Sequence, residues 1–366
     1  MTTNTSFDIT RPLPQGTVLL AASAGTGKTW TISAVCAKAI ATGLVHMKNL
    51  LLVTFNRSAA RELRGRVYER LVNTRLLLAG AREPSDPCDW SLIRCGRAGF
   101  TRVESALDNF DRAVITTTHE FASRMLVELG VLSDHDPSSV LMTDLAPLAT
   151  EVSDDHYLAQ YLDYDRPPSV REKRELSRDV AVKYGEVPIF SKDDADTPVQ
   201  DVLWALSVRE DVRRRSKSRS VHTFDDLIGD LVKALRDPYR GPLACATLAH
   251  RFGLVMVDEF QDTDPLQWEI LRRAFHGHSN LWLIGDPKQS IYAFRGADIH
   301  AYQDAAQSAS HVLHLDVNYR TDKPIVEAVN TLFSNAQLGH DISMELVTAH
   351  HQESRIKTAA TDGPRY

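Results

Sequence analysis

Long apolar runs are absent from this sequence of 366 residues. No stretch approaches the roughly 20 apolar residues that a transmembrane helix needs. The opening residues, MTTNTSFDIT, are polar and lack the basic start and the apolar core of a secretion signal. We therefore expect no membrane association and a cytoplasmic location.

Cysteine is scarce, and positive charge is not in excess. The four cysteines, Cys36, Cys88, Cys95 and Cys245, lack the spacing of metal ligands, and their scatter suits reduced thiols better than a disulfide framework. The 42 Lys and Arg residues face 48 Asp and Glu residues, which leaves a formal net charge of −6. Because the chain as a whole does not attract nucleic acid, any DNA site must be a local groove.

The sequence does contain short apolar runs with helical patterns between several of them. Alternating strands and helices predict a parallel sheet that is covered on both faces and binds ligands beyond the carboxyl ends of its strands. The predicted strands are Val18–Leu20, Leu50–Thr54, Val114–Thr117, Leu254–Val257, Leu281–Ile284 and Val312–Leu315. The predicted fold class is thus α/β.

A polar, helix-compatible stretch interrupts this pattern between about Leu132 and Ser220. It lacks strand runs, so we interpret it as a helical insertion in the α/β domain. Its basic end, RRRSKSRS at residues 213–220, is open to two interpretations. It is either a contact for DNA phosphates or a solvated loop.

The segment AASAGTGKTWT, residues 21–31, follows the first predicted strand and precedes a helical pattern. A strand, a glycine-bearing turn, a lysine with a threonine and then a helix are typical of a phosphate-binding loop. Backbone N–H groups would form an anion nest there, with Lys28 at the β- and γ-phosphates and Thr29 as a magnesium ligand. The candidate nucleotide-binding residues are Ala22, Ser23, Ala24, Gly25, Thr26, Gly27, Lys28 and Thr29.

One residue of this loop departs from the strict pattern. Ala22 stands where that pattern has glycine, and an alanine fits only if its φ is negative. The alternative to a phosphate-binding loop is an ordinary glycine-rich turn between a strand and a helix.

Two carboxylates follow the predicted strand that ends at Val257, in the segment VDEFQDTDP. Asp258 would hold magnesium opposite Thr29, and Glu259 would orient and deprotonate the attacking water. Gln289, after the next predicted strand, would sense the γ-phosphate or its water. The alternative for the acidic pair is a simple acidic loop at a strand end.

Aromatic and basic residues near these strand ends are candidates for contacts with unpaired bases. Tyr292, Phe294 and Arg295 follow Gln289, and this combination suits stacking on single-stranded nucleic acid, although a core aromatic pair with a surface arginine is equally compatible. Phe55 stands at another strand tip, where a base could stack. His119 follows a third strand, where a satisfied interior histidine is the alternative to a phosphate contact. The arginines Arg57, Arg61 and Arg64 share one face of the helix that follows Phe55.

Taken in order, these motifs resemble the UvrD/Rep/PcrA group of superfamily 1 DNA helicases, and within it the RecB-like branch. The resemblance covers most of the first 130 residues and most of residues 222–333. It is carried by RPLPQG, AASAGTGKTWT, LLVTFNRSAARELRGRV, TTTHEF, HTFDDLI, VDEFQDTDP, IGDPKQSIYAFRGADIHAY and NYRTDKPIVEAVNTLF. Loops of this group commonly read ASAGTGKT, which accounts for Ala22.

The resemblance implies a fold, a set of ligands and a role for individual residues. The implied fold is a P-loop NTPase (RecA-like) sheet at residues 1–131 and 221–317, a helical insertion at 132–220, and the start of a second RecA-like domain at 318–366. The implied cofactors are ATP and Mg²⁺, and the implied substrate is single-stranded or duplex-end DNA traversed in the 3′ to 5′ direction. Gln15 matches a residue that reads the adenine, and Arg320 matches an arginine that reaches the γ-phosphate. Lys28, Thr29, Asp258, Glu259 and Gln289 match the catalytic and metal-binding positions, and Phe55, Arg57, His119, Tyr292, Phe294 and Arg295 lie in or beside the motifs that contact the strand.

The late motifs of the family are missing after Phe333. They supply a further arginine to the nucleotide, so we expect this sequence to correspond to the amino-terminal part of a RecB-like motor. Two hypotheses follow: an ATP-dependent helicase motor in double-strand break repair, or an ATP- and DNA-binding module without independent motor activity. Other subunits of a RecBCD-type exonuclease, or a polypeptide that completes the motor, are the expected partners. A small-molecule P-loop kinase is a third, poorly supported possibility, because no second basic lid segment is evident.

Overall fold

The structure of the protein is a computed structural model. It describes residues 5–133, 135–136, 139–142, 144–181, 199–291, 298–334, 336 and 346–355. The chain divides into two compact units, one from Met1–Phe121 with Cys245–Tyr366 and one from Ala122–Ala244. No helix within the described ranges combines the length and the hydropathy that crossing a bilayer requires.

Eleven strands lie in the described residues. They are β1 (Thr5–Ser6), β2 (Thr17–Ala21), β3 (Leu50–Thr54), β4 (Val114–Thr117), β5 (Val140–Leu141), β6 (Val221–His222), β7 (Leu254–Val257), β8 (Asn280–Gly285), β9 (His311–His314), β10 (Val317–Asp322) and β11 (Thr348–His351). The six predicted strands are all present, and their ends differ from the prediction by at most one residue.

Thirteen α-helices accompany them in the same residues. They are α1 (Lys28–Thr42), α2 (Arg57–Leu78), α3 (Pro87–Ile93), α4 (Gly96–Asp108), α5 (Thr118–Leu129), α6 (Ala146–Tyr161), α7 (Val170–Ala181), α8 (Val199–Ser218), α9 (Phe224–Arg236), α10 (Gly241–Arg251), α11 (Pro265–Phe275), α12 (Ile299–Ser308) and α13 (Lys323–Phe333).

The first unit is built on a parallel sheet with the strand order β1-β9-β2-β8-β7-β3-β4. Its central strands are buried along almost their whole length, as expected for apolar runs covered by helices on both faces. The predicted α/β fold with a parallel sheet is therefore confirmed. β8 lies between β2 and β7, which brings the ends of β2, β8 and β7 to one edge of the sheet. Within the described residues, β10 pairs with β11 in a separate parallel sheet of two strands.

Helix α1 is the best-buried helix of this unit. Every residue from Thr31 to Ala41 is buried, including the amine-bearing Lys38. The Lys38 ammonium donates to the carbonyl oxygens of Ile9 and Arg11 at 2.6 and 2.7 Å. Burial lowers the pKa of this ammonium. The helix that follows the candidate phosphate loop is thus anchored on all sides in the core.

The second unit has a core of its own, formed by α6 and α8. Trp204 lies at its centre, where its indole N–H donates to Ser177 Oγ at 3.0 Å and its ring stacks on Tyr161. The core side chains are Leu145, Leu148, Ala149, Val152, Tyr161, Trp204, Val208 and Val212. The predicted helical character of residues 132–220 agrees with α6, α7 and α8. The expectation that this stretch contains no strand was wrong at β5, which pairs with β6 just beyond it.

The arginine-rich stretch at residues 213–220 is neither a free basic cluster nor a loop over most of its length. Its first six residues continue α8. Arg215 contacts Glu151 and Asp155 on α6 at 2.9 and 2.7 Å, and Arg219 contacts Glu151 at 2.6 Å. The sequence did not predict which residues this stretch contacts, because the acidic residues of α6 lie more than 50 positions away along the chain.

Candidate functional site

The loop between β2 and α1 has the conformation of a phosphate-binding loop. Gly25 and Gly27 have φ values of +82 and +86°, and Gly27 is the N-cap of α1. Ala22 is buried and is not among the described residues with a positive φ, so it satisfies the condition set by the sequence. Thr26 closes the turn by donating from its hydroxyl to the carbonyl oxygen of Ser23 at 2.7 Å. The first N–H groups of α1, which have no partner within the helix, therefore open onto this loop.

β10 packs directly on this loop. The N–H of Tyr319 donates to the carbonyl oxygen of Gly25 at 2.8 Å, and the Asn318 amide donates to the carbonyl oxygen of Ala24 at 3.1 Å. The side-chain oxygen of Asn318 also accepts from the backbone N–H of Arg320 at 2.9 Å. This hydrogen bond fixes the backbone of Arg320, whose side chain is exposed. Arg320 is thereby brought to the loop, and its contact with the γ-phosphate stays a prediction. Neither Asn318 nor Tyr319 was singled out in the sequence.

Lys28 meets Glu259 at the edge of the sheet. Its ammonium lies 2.5 Å from Glu259 Oε2, although 231 positions separate the two residues. The carboxylate follows β7 and the lysine opens α1, so the order β2-β8-β7 is what brings them together. Glu259 has a φ of +55°, a left-handed conformation that is costly for a residue with a side chain. Such strain is held in place by the surrounding structure, which is common at functional sites.

Three carboxylates share this site. Burial raises the pKa of Asp258 to about 6, with Lys28 opposing the shift and Glu259 adding to it. Burial and the neighbouring Glu259 also raise the pKa of Asp262 to about 6, again opposed by Lys28. Oδ1 of Asp262 is buried and has no hydrogen-bond partner among the described residues. The site therefore has more negative charge than Lys28 alone neutralises, and it suits a further cation.

Gln289 is held at the end of β8. Its amide donates to Asp286 Oδ2 at 2.7 Å, and Asp286 is itself buried and bonded through Oδ1 to the Lys288 ammonium at 2.8 Å. Gln261 links this turn to the acidic pair, since it contacts both Glu259 and Asp286. The sequence contained Gln261 and Asp286 within the motifs, but no local signal distinguished them from their neighbours.

The structure does not bring Gln15 to the phosphate loop. It is exposed and precedes the amino end of β2, whereas the loop follows the carboxyl end of that strand. The five residues of the strand span about 17 Å at roughly 3.3 Å per residue. Its assignment to the adenine stays a prediction.

Three of the candidate DNA contacts, Phe55, Arg57 and His119, follow two neighbouring strands, β3 and β4. Phe55 and His119 are half-buried there, and the guanidinium of Arg57 is paired with Glu120 at 2.8 Å. Arg64 of the same helix is bonded to Asp111 at 3.2 Å instead. Tyr292, Phe294 and Arg295 lie outside the described residues. The roles of all these residues stay predictions.

A protein-family model described as the UvrD/REP helicase N-terminal domain matches residues 3–310. The chain belongs to this family. Membership confirms the RecA-like assignment of the sheet, and it agrees with the resemblance seen in the sequence.

Curated relatives of this UvrD/REP-type chain include RecB subunits and a UvrD helicase. The RecBCD enzyme subunit RecB of Mycobacterium tuberculosis is 38% identical over 371 residues, which cover 98% of this chain and 34% of the relative. The subunit of the same name from Escherichia coli (strain K12) is 46% identical over 129 residues, 35% of this chain and 11% of the relative. The ATP-dependent DNA helicase UvrD1 of Mycobacterium bovis is 27% identical over 94% of this chain and 42% of the relative. The chain thus spans about a third of the length of its mycobacterial RecB relative.

Proposed function

We propose that this chain is an ATP-driven DNA helicase or translocase motor of the RecB type. It binds ATP with Mg²⁺ at the loop before α1 and moves along single-stranded DNA in the 3′ to 5′ direction. The observation that carries the proposal is the 2.5 Å contact between Lys28 and Glu259. A phosphate-binding lysine and a carboxylate able to activate water are the two groups that phosphoryl transfer to water requires together.

Each step of hydrolysis has a candidate residue in this chain. Lys28 and the N–H groups of the loop bind the β- and γ-phosphates. When the nucleotide enters, the Lys28 ammonium breaks its ion pair with Glu259 and pairs with a phosphate instead. Glu259 then accepts the proton of the attacking water. Gln289 responds to the γ-phosphate, and Arg320 approaches that group from β10.

Magnesium would be held by Thr29 and Asp258. The excess of carboxylates and the unpartnered Oδ1 of Asp262 fit a divalent cation that takes oxygen ligands. No cluster of three or more His, Cys, Asp or Glu side chains in the described part of the chain has the arrangement of a metal site. Magnesium is usually bound by one or two protein carboxylates, while phosphate oxygens and water complete the shell. When bound, the ion would neutralise the charge that develops on the phosphates.

The DNA strand would cross the carboxyl ends of β3 and β4. Phe55 offers a ring to a base, and Arg57 and His119 offer donors to phosphates, together with Tyr292, Phe294 and Arg295. Because relatives are named as subunits of the RecBCD enzyme, we propose double-strand break repair in the cytoplasm as the setting. The other subunits of such an enzyme, or a polypeptide that completes the motor, are the proposed partners.

Steady-state ATPase of the chain, with and without single-stranded DNA, tests the proposal. We expect DNA-stimulated turnover that falls by roughly 10²–10⁴-fold in Glu259→Gln, which keeps the shape of the side chain and removes the base. Lys28→Ala should weaken binding of a fluorescent ATP analogue by about 30- to 100-fold, since it removes a charge-assisted hydrogen bond. Turnover that survives in Glu259→Gln would contradict the assignment of the base.

A second candidate is a module that binds ATP and DNA without independent motor activity. It is set beside the first because motor action needs two domains that move relative to each other, and an arginine finger contributes roughly 10³–10⁵ in rate. Tight nucleotide binding that depends on Lys28, combined with negligible turnover, would support this candidate over the first.

A further inference from the structure

Gln261 is a buried side chain directly behind the candidate catalytic carboxylate. It is 3% exposed. Its Nε2 donates to Glu259 Oε2 at 2.8 Å, and its Oε1 accepts from the backbone N–H of Asp286 at 3.0 Å. It thus joins the segment after β7 to the segment after β8, and both of its polar atoms are used.

The orientation of this amide follows from the chemistry of its partners. A backbone N–H can only donate, so the side of the amide that faces Asp286 must be the oxygen. The NH₂ group is then left facing Glu259, where an ionised carboxylate can only accept. Reversing the amide would lose both hydrogen bonds, so the packing of Gln261 fixes one orientation of its amide.

The amide also has little room to move. A Cβ built on Gly285 would lie 2.4 Å from Gln261 Oε1 and 3.1 Å from the backbone nitrogen of Gln261. Only a glycine at this position leaves space for the side chain. On the other side, Ser290 donates from its hydroxyl to the carbonyl oxygen of Gln261 at 3.2 Å. Gln261 thus forms a bridge between the segment after β7 and the segment after β8. Both the main chain and the amide group of this Gln261 bridge are closely packed.

Gln261 is the middle of a continuous chain of contacts. Lys28 and Gln261 both bind Oε2 of Glu259, at 2.5 and 2.8 Å. Beyond Gln261, Asp286 accepts from the Gln289 amide at 2.7 Å. A displacement of Gln289 by a phosphate group would thus change the hydrogen bonding of the turn to which Gln261 holds Glu259.

We propose that Gln261 is a positioning residue, which orients Glu259 toward the attacking water and ties its position to the turn that carries Gln289. This inference rests on the proposed ATP hydrolysis and adds the group that sets the geometry of the base. Gln261 is buried, and both of its polar side-chain atoms are bonded within the protein. Its loss should therefore lower kcat and leave the KM for ATP nearly unchanged.

Two substitutions in the full chain separate the two arms of the bridge. Gln261→Met has a similar length and makes neither hydrogen bond. Gln261→Glu can still accept from the Asp286 N–H, but its carboxylate cannot donate to Glu259 and repels it. We expect kcat of the DNA-stimulated ATPase to fall by roughly 10- to 100-fold in both variants, with KM within about threefold, as for other residues that orient a reacting group.

Amide hydrogen exchange at Asp286 supplies a readout that needs no nucleotide. Its exchange should be about fivefold faster in Gln261→Met, which loses one hydrogen bond, and unchanged within about twofold in Gln261→Glu. A role confined to packing predicts no such difference between the variants. Ser290→Ala is the matched control, because it removes a contact to Gln261 outside the bridge, and its kcat should stay within about twofold of that of the parent chain.

Two results would overturn the inference. One is a kcat in Gln261→Met equal to that of the parent chain, and the other is a loss in Ser290→Ala as large as in Gln261→Met. If the parent chain itself hydrolyses no ATP, the proposed hydrolysis fails. Hydrogen exchange at Asp286 then tests by itself whether Gln261 bridges the two segments. Equal exchange at Asp286 in the parent chain and in Gln261→Met would then refute it, and the expected pattern would support it.

Discussion

Replacing Gly25 by alanine should damage the phosphate-binding loop through two separable effects. The first is conformational: Gly25 has a φ of +82°, and the left-handed region costs a residue with a Cβ about 1–2 kcal/mol. The second is contact: the new Cβ would lie 2.7 Å from Cβ of Arg320 and 2.9 Å from Asn318 Oδ1. Because Cβ of Arg320 is fixed to the backbone, β10 has to move away from the loop.

That movement breaks the two hydrogen bonds that hold β10 on the loop. They run from the Tyr319 N–H to Gly25 and from the Asn318 amide to Ala24. Each contributes about 1 kcal/mol to stability. Together with the conformational cost, Gly25→Ala should lower the free energy of unfolding by about 3–4 kcal/mol.

Two other glycines serve as matched controls. Gly80 has a φ of +72°, but no described atom lies within 4 Å of the position that its Cβ would take, so Gly80→Ala should cost only the conformational part, about 1–2 kcal/mol. Gly65 lies inside α2 with neither a positive φ nor a described atom within 4 Å of the corresponding position. Gly65→Ala should stabilise the chain by about 0.5–1 kcal/mol, because alanine favours the helix.

Urea unfolding of the four chains and the affinity for a fluorescent ATP analogue with Mg²⁺ test this series. We expect stability to decrease in the order Gly65→Ala, parent chain, Gly80→Ala, Gly25→Ala. Only Gly25→Ala should lose nucleotide affinity. If Gly25→Ala matched Gly80→Ala in stability and bound the analogue normally, the reasoning would be refuted, since β10 would not pack on the loop as described.

Three further predictions concern the rest of the chain. Asp89→Ala should lower the free energy of unfolding by about 3 kcal/mol in a denaturation series, because the buried Asp89 carboxylate pairs with Arg70 at 3.1 Å and Arg82 at 2.9 Å and accepts from the Ser85 N–H at 3.0 Å, and only Arg70 keeps another carboxylate partner among the described residues, Asp86; an effect under 1 kcal/mol would contradict this. Thr223→Ala should cost about 1 kcal/mol, since it removes the capping box of α9, and an equally stable variant would show that the cap contributes nothing. In a thiol titration of the folded chain at pH 8, Cys36 should stay unreactive while the half-buried Cys95 and Cys245 react first, because burial raises the pKa of the Cys36 thiol to about 12 and keeps it protonated; modification of Cys36 without unfolding would refute this.

The electrostatics of the acidic site depend on contacts that no local pattern encodes. Asp258 and Glu259 were identified from their place after an apolar run, but the raised pKa of Asp258 comes from burial and from its charged neighbours. In the same way, Arg57 was expected to face DNA, and the structure pairs it with Glu120 from a different strand end. A sequence pattern states which side chains are available, and only their neighbours in space determine their charge and their partners.

The sequence by itself determined the six main strands, the phosphate loop and the family. Apolar runs of three to five residues favour burial in a sheet, and their positions predicted the strand ends within one residue. The loop could be recognised because its glycines are required by local backbone geometry, as the φ values of Gly25 and Gly27 illustrate.

Only the tertiary structure decided how these pieces meet. The placement of β8 between β2 and β7 brings Lys28 to Glu259, and the packing of β10 brings Arg320 to the loop. Gln261 became recognisable only when its two hydrogen bonds were seen to join segments 25 residues apart. These contacts join residues that are distant along the chain, so they depend on strand order and side-chain direction, which folding of the whole domain sets and local sequence patterns do not contain.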